Sequence, residues 1–227
     1  MKRTHYPSPG QRTRERAEHI REAKPFTVPR IWAGEPAFII GGGPSFDPAI
    51  APRLHGRIFA INWAFRVRPD ADVVFWIDER FFKRASPFMS MHTGAFKICR
   101  KAPKSPHDLD IHVISRLQPH IRAKPRGLSR DPRKVGGICS GGSALNLAYL
   151  FGCNPIVLLG FDMRSSGGRF DWHDWHHTAG QESHYAIFAK EIEAMAPELA
   201  AEGVRVVNCS ARSALTCFEK SRVEAFL

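Results

Sequence analysis

The segment Phe38-Ile39-Ile40-Gly41-Gly42-Gly43-Pro44-Ser45-Phe46 narrows the choice of fold more than any other part of the chain. An apolar run stops on three glycines, then Pro44 and Ser45, and an amphipathic segment follows. This order predicts a buried strand that ends in a tight loop and opens a helix. Glycines let a backbone approach a ligand closely, and the N–H groups at a helix start carry a partial positive charge. Such a loop suits a phosphate, which makes Gly41, Gly42, Gly43, Pro44 and Ser45 candidate nucleotide-binding residues. The plain alternative is an ordinary turn.

From Ala37 onward, short apolar runs alternate with helical patterns. Strands are expected at Ala37–Ile40, Ile58–Asn62, Val73–Ile77, Phe96–Cys99, Ile111–Ile114, Ile156–Leu159 and Val204–Val207. Helices are expected at Asp47–Leu54, Glu79–Ala85, Ser143–Phe151 and His184–Ala201, the last kinked at Pro197. Near-continuous apolar strands separated by helices predict an α/β, Rossmann-like domain, a mostly parallel sheet with helices on both faces. Ligands of such sheets bind at the carboxyl ends of the strands. Those ends read Gly41-Gly42-Gly43, Asn62-Trp63, Asp78-Glu79 and Gly160-Phe161-Asp162. A further glycine loop, Gly136 to Ser143, opens a helix and adds Ser140, Gly141 and Gly142. The bland reading of Asn62 and Asp162 is helix capping.

With 227 residues the chain fits one sizeable core better than two. No apolar run approaches the roughly 20 residues of a membrane helix. The five cysteines form no C-x-x-C pair, so a cytoplasmic protein with buried thiols is expected. The net charge of +11 is local: residues 1–30 carry +5 and residues 97–134 carry +8. Both segments suit an anionic partner, nucleic acid included, or are solvated surface. Residues 1–30, rich in proline and charge, are expected to form a loosely attached arm on a domain spanning 31–227.

Taken in order, Gly41-Gly42-Gly43-Pro44-Ser45, Ala60-Ile61-Asn62, Pro69-Asp70 and Phe75-Trp76-Ile77-Asp78 resemble the signature of the 6-hydroxymethylpterin diphosphokinase-like family, which also holds motility-accessory glycosyltransferase-like proteins. Ser140-Gly141-Gly142, Leu158-Leu159-Gly160-Phe161-Asp162 and Val207-Asn208-Cys209-Ser210 are similar to bacterial lipooligosaccharide sialyltransferases and phage-borne relatives. The resemblance covers about residues 36–216. It implies that Gly42, Gly43, Ser45 and Asn62 hold a nucleotide sugar, with Ser140, Gly141, Gly160, Phe161 and Asp162 in the same pocket. In the diphosphokinases, the same fold transfers a diphosphate from a nucleoside triphosphate with Mg2+. The sialyltransferases place two tyrosines after the Gly-x-Asp motif, where this chain has Arg164 and Phe170. An arginine neutralises a departing phosphate more strongly than a phenol.

Four of the eleven histidines fall between residues 173 and 184. Imidazole titrates near neutrality and suits a general base for an acceptor hydroxyl. The resemblance points to His177 or His176, in a lid spanning 164–182, and then to His184. Competing readings are a metal site at His173, Asp174 and His177, and a surface loop without chemistry. The expected function is thus a nucleotide-dependent, glycosyltransferase-like enzyme whose partners are a nucleotide donor and a hydroxyl acceptor. One alternative is Mg2+-dependent diphosphate or nucleotidyl transfer, with Asp78 and Asp162 as metal ligands. The other is a nucleic-acid-binding, phage-associated protein with a degenerate pocket.

Overall fold

The computed structural model describes residues 24–103, 109–117, 127–175 and 180–227. The strands are β1 (Lys24–Pro25), β2 (Ala37–Ile40), β3 (Arg57–Ile61), β4 (Val73–Trp76), β5 (Phe96–Cys99), β6 (Ile111–Val113), β7 (Ser115–Arg116), β8 (Lys134–Val135), β9 (Ile156–Leu159), β10 (Val206–Asn208) and β11 (Glu219–Lys220). The α-helices are α1 (Glu79–Ala85), α2 (Ser140–Phe151), α3 (Glu182–Glu193) and α4 (Ala196–Ala201). Nine strands form one sheet in the order β1-β6-β5-β4-β3-β2-β9-β10-β11, and their pairings are parallel. This is the Rossmann-like α/β architecture expected from the apolar runs.

The runs are apolar at successive positions because both sheet faces are covered. Ala37 and Ile39 of β2 join one core with Phe59, Phe75, Leu158 and the inner sides of α2, α3 and α4. Phe38 and Ile40 point the other way and join Ala60, Trp76, Val157 and α1. The second face is covered largely by 3-10 turns. Asp47–Leu54, expected to be helical, forms a 3-10 segment at Pro48–Arg53, where Pro52 lacks the N–H that an α-helix would bond to the carbonyl four residues back. The long C-terminal helix is two, α3 and α4, with Pro197 in the first turn of α4. Residues 24–28, counted with the expected arm, are held by the fold. β1 pairs with β6, Phe26 N donates to Val113 O, and Val28 is buried in the core. Residues 1–23 lie outside the described residues.

From β2 the chain steps through β3, β4, β5 and β6 to one side; β9, β10 and β11 then lie on the other side of β2. The order therefore switches between β2 and β9. A crevice at such a switch is where open α/β sheets bind ligands.

One buried group gives the fold a pH dependence. His92 is 3% exposed, its Nε2 stands 2.7 Å from Ala71 O, and Nδ1 has no partner. A carbonyl only accepts, so Nε2 carries the proton. Burial holds the His92 pKa below its ordinary 6.5, and the nearby Lys97 charge adds to the effect, against the bond to Ala71. A folded-state pKa below the unfolded one means that stability is lost as pH falls through about 6.5. We expect urea midpoints at pH 7.5 and 5.5 to differ less for His92→Gln than for the wild type. An equal loss in both would show that His92 stays neutral at no cost.

Candidate active site at the sheet switch point

Register brings the two central glycine turns together. Ile40 pairs with Leu159, so both strands end at the same level. Gly41 N donates to Leu159 O at 2.8 Å, and Gly43 N donates to Gly160 O at 2.9 Å. A Cβ on Gly41 would stand 2.7 Å from Gly160 O; on Gly43 it would meet that oxygen at 2.5 Å and overlap Asp162 Oδ2. The bareness of Gly41 and Gly43 is thus required by the neighbouring turn. The α-helix start expected after this loop is absent, because the following segment is the 3-10 turn at Pro48–Arg53. Trp172 closes over the loop: its N donates to Gly42 O and its Nε1 to Gly41 O, each at 2.9 Å.

Asp162 follows the Gly160 turn and is 4% exposed. Its Oδ2 accepts from Ser45 Oγ at 2.8 Å and from Ser45 N at 3.3 Å, a contact that links the two glycine loops. Burial pushes the Asp162 carboxyl above its usual range, against the Ser45 bonds that lower it. Phe161 N donates to Ser210 Oγ at 2.9 Å, Ser210 N donates to Asn208 Oδ1 at 2.9 Å, and Ala214 N donates to Asp162 O at 2.8 Å. The Asn208-Cys209-Ser210 motif therefore fixes the Asp162 turn from behind.

A cavity of about 320 Å3 lies above this junction. The size suits a small ligand such as a nucleotide. Of the residues singled out by sequence, Gly41, Gly42, Gly43, Asn62, Asp78, Ser140, Gly141, Gly160, Phe161, Asp162, Arg164, His173 and His184 line it. Asn62 and Met163, the non-glycine residues with positive φ among those described, at 52° and 51°, both belong to this wall. Left-handed backbone is strained for such side chains, and strain of this kind gathers at functional sites. Asn62 Oδ1 is buried without a hydrogen-bond partner. Asn62 is the first residue of the 3-10 turn Asn62–Arg66, whose N-cap is Ile61, and its Oδ1 caps no backbone N–H.

The second glycine loop opens a true α-helix, three residues earlier than expected. Cys139 is the N-cap, its Sγ accepting from Gly142 N at 3.3 Å. Burial pushes the Cys139 thiol pKa up. Ser140 and Gly141 in the first turn of α2 line the cavity; Gly142 does not, and packs against Ile192 of α3. Pro44 and Ser45 line a separate cavity beyond Asp162.

Helix α3 supplies a wall of which the sequence pointed only to His184. Gln181, His184, Tyr185 and Phe188, spaced i, i+3, i+4 and i+7, all reach the cavity. Tyr185 stacks on Phe170, with ring centroids 5.2 Å apart and planes 12° apart, and burial pushes its phenol pKa up. The helical spacing was the available signal for this face.

Other predicted residues have structural partners. Asp78 caps α1 by accepting from Arg80 N at 2.8 Å, and it pairs with the Arg80 guanidinium at 2.9 Å. His173 is 7% exposed, stacks on Trp175, and accepts from Trp175 N through Nδ1 at 3.2 Å. Asp174 is exposed and pairs with Arg169. Among the described residues no group of three His, Cys, Asp or Glu side chains is placed to share a metal ion. His176 and His177 lie outside the described residues. In the basic 97–134 segment, Lys101 pairs with Glu79, Arg130 with Glu198 and Glu202, and Arg133 and Lys134 with Asp131. These cations meet carboxylates of the fold itself, and residues 104–108 and 118–126 are outside the described residues. Among the described residues no helix is long and apolar enough to cross a membrane.

The fold is similar to that of MAf glycosyltransferase from Magnetospirillum magneticum AMB-1, with a TM-score of 0.64 and 14% identity over 92% of this chain. The chain shares its fold with a glycosyltransferase. It spans 37% of that protein's length. No family model and no curated protein matches it. These comparisons lend nothing to the diphosphokinase branch of the resemblance.

Proposed function

We propose that the chain is a nucleotide-dependent transferase of the glycosyltransferase type, moving a sugar from a nucleotide sugar to a hydroxyl acceptor. The observation that carries this reading is the cavity at the switch point, which gathers both glycine loops, Asn62 and Asp162 in one wall. Asn62, on left-handed backbone, stands where a base or ribose would lie. Asp162 bonds the ribose or sugar hydroxyls. The α2 first turn and the Gly41–Gly43 loop face the phosphate, and the aromatic wall of Phe170 and Tyr185 covers the donor.

In the reaction the acceptor oxygen attacks the anomeric carbon while the bond from that carbon to the donor phosphate breaks. The acceptor proton passes to a histidine, His177 or His176 in the lid or His184 on the cavity wall. The nucleotide leaves with its phosphate, whose charge Arg164 neutralises.

A thermal-shift screen against CMP, UDP, GDP, ATP and their sugar conjugates, with and without Mg2+, tests the reading. We expect metal-independent stabilisation by one nucleotide sugar. We also expect Asp162→Asn to bind it about 10- to 100-fold more weakly, as for a lost charge-assisted hydrogen bond. A shift that needs ATP and Mg2+ would turn the assignment to diphosphoryl transfer. No nucleotide response, with steeply salt-dependent duplex binding, would make the chain a nucleic-acid binder.

A further inference from the structure

A second cavity, of about 230 Å3, lies on the far side of Asp162. Pro44, Ser45, Ser165, Ser166, Arg164 and Arg212 are among its lining residues. It shares Asp162 and Arg164 with the larger cavity, so a group held in it lies one side chain away from the donor. Its chemistry is that of an anion site. Two arginines and three serines line it beside one carboxylate, and Asp162 Oδ2 already accepts from Ser45 Oγ and N.

Some arginines of the fold meet carboxylates, Arg57 with Glu35 and Asp72, Arg68 with Asp70, Arg205 with Glu219, while others, such as Arg66 over Trp175, do not. Arg164 and Arg212 make no such ion pair among the described residues. Arg212 instead donates to Ser166 Oγ at 3.3 Å, which holds its guanidinium at the cavity wall. The Ser165–Arg169 turn is itself built. Ser166 and Arg169 exchange backbone bonds of 2.8 and 3.1 Å, and Ser165 N donates to Glu182 Oε1 at 3.0 Å. Two arginines that make no close ion pair, set in a concave and hydroxyl-lined site, bind phosphate or carboxylate by charge-assisted hydrogen bonds.

We propose that this second cavity holds an anionic group, phosphate or carboxylate, of the acceptor, with Arg212 as its main anchor. The assignment of that group to an acceptor rests on the transferase reading; the anion site itself does not. Seated there, the anion directs the acceptor hydroxyl across Asp162 toward the donor sugar and restricts the enzyme to acidic acceptors.

The test is a thermal-shift titration of the whole chain with inorganic phosphate and with glucuronate, against KCl at matched ionic strength. It is run without and with whichever nucleotide stabilises the protein. One of the two anions should stabilise the chain in addition to the nucleotide, and which one does so tells phosphate from carboxylate acceptors. Arg212→Gln should weaken that anion about tenfold, as for one lost charge-assisted contact, and leave the nucleotide response in place. Arg222→Gln, at another exposed arginine, should change neither.

Anion binding through Arg212 with no response to any nucleotide would overturn the donor reading and leave the anion site standing. An unchanged anion response in Arg212→Gln, no response beyond KCl, or displacement of the anion by nucleotide would each overturn the second site.

Discussion

Asn146→Ala is expected to cost about 4 kcal/mol, or roughly 10 °C in melting temperature for a chain of this size. Asn146 sits in the middle of α2 and is fully buried. Its Oδ1 accepts from Ser129 N at 2.8 Å and from Gly136 N at 2.7 Å, and its Nδ2 donates to Ser129 O at 2.9 Å. Alanine would leave two buried donors and one buried acceptor unpaired, and unpaired buried groups cost far more than an average hydrogen bond contributes. The same side chain carries the loop into α2, where Ser140 and Gly141 meet the cavity. Arg100 and Ser143 support that loop through Gly137 O at 2.8 Å and Gly136 O at 2.9 Å. Differential scanning calorimetry should therefore show a much larger loss for Asn146→Ala than for Ser143→Ala, which removes one of these supports. A loss under about 1 kcal/mol would mean that water replaces the Asn146 bonds and that the loop is held elsewhere.

The second large effect is at Gly43. Alanine there would place a methyl group on the Asp162 carboxylate and 2.5 Å from Gly160 O. Neither can yield cheaply, because Gly160 O accepts from Gly43 N and the Asp162 backbone is pinned by Ala214 N. The ends of β2 and β9 would have to part, at a cost of about 3 kcal/mol by analogy with overpacked cores. The nucleotide response of the thermal-shift screen should vanish in Gly43→Ala even where the fold survives. Ser45→Ala is the milder comparison: it removes the bond from Oγ to Asp162 and adds no clash, so it should retain a weakened response. Wild-type stability and nucleotide response in Gly43→Ala would show that the two turns are looser than their hydrogen bonds indicate.

The positions of Asn62 and Asp162 are legible in the sequence because strands of a covered parallel sheet are apolar until they end. A polar residue straight after such a run marks the rim where ligands bind. Expectation and structure part where the chain pairs with itself over long distances. β1, β7, β8 and β11 have two residues each, too few to show a period. The extra glycines of the first loop suggested a phosphate cradle, while their bareness turns out to be needed by the Gly160 turn, which arrives more than a hundred residues later. Tyr185 escaped the motif reading because it lies on a helix whose apolar spacing reports burial without saying against what.

The sequence by itself determined which segments become the longer strands, and that glycine, Asn62 and Asp162 stand near their ends, because local hydropathy and backbone freedom act within a few residues. Only the tertiary structure decided that β9 lies beside β2 and that Ser45 meets Asp162 across 117 residues. It alone placed Trp172 over Gly41 and opened two cavities on either side of one carboxylate. Strand order is settled by which buried faces pack together over the whole sheet, and no local pattern carries that information.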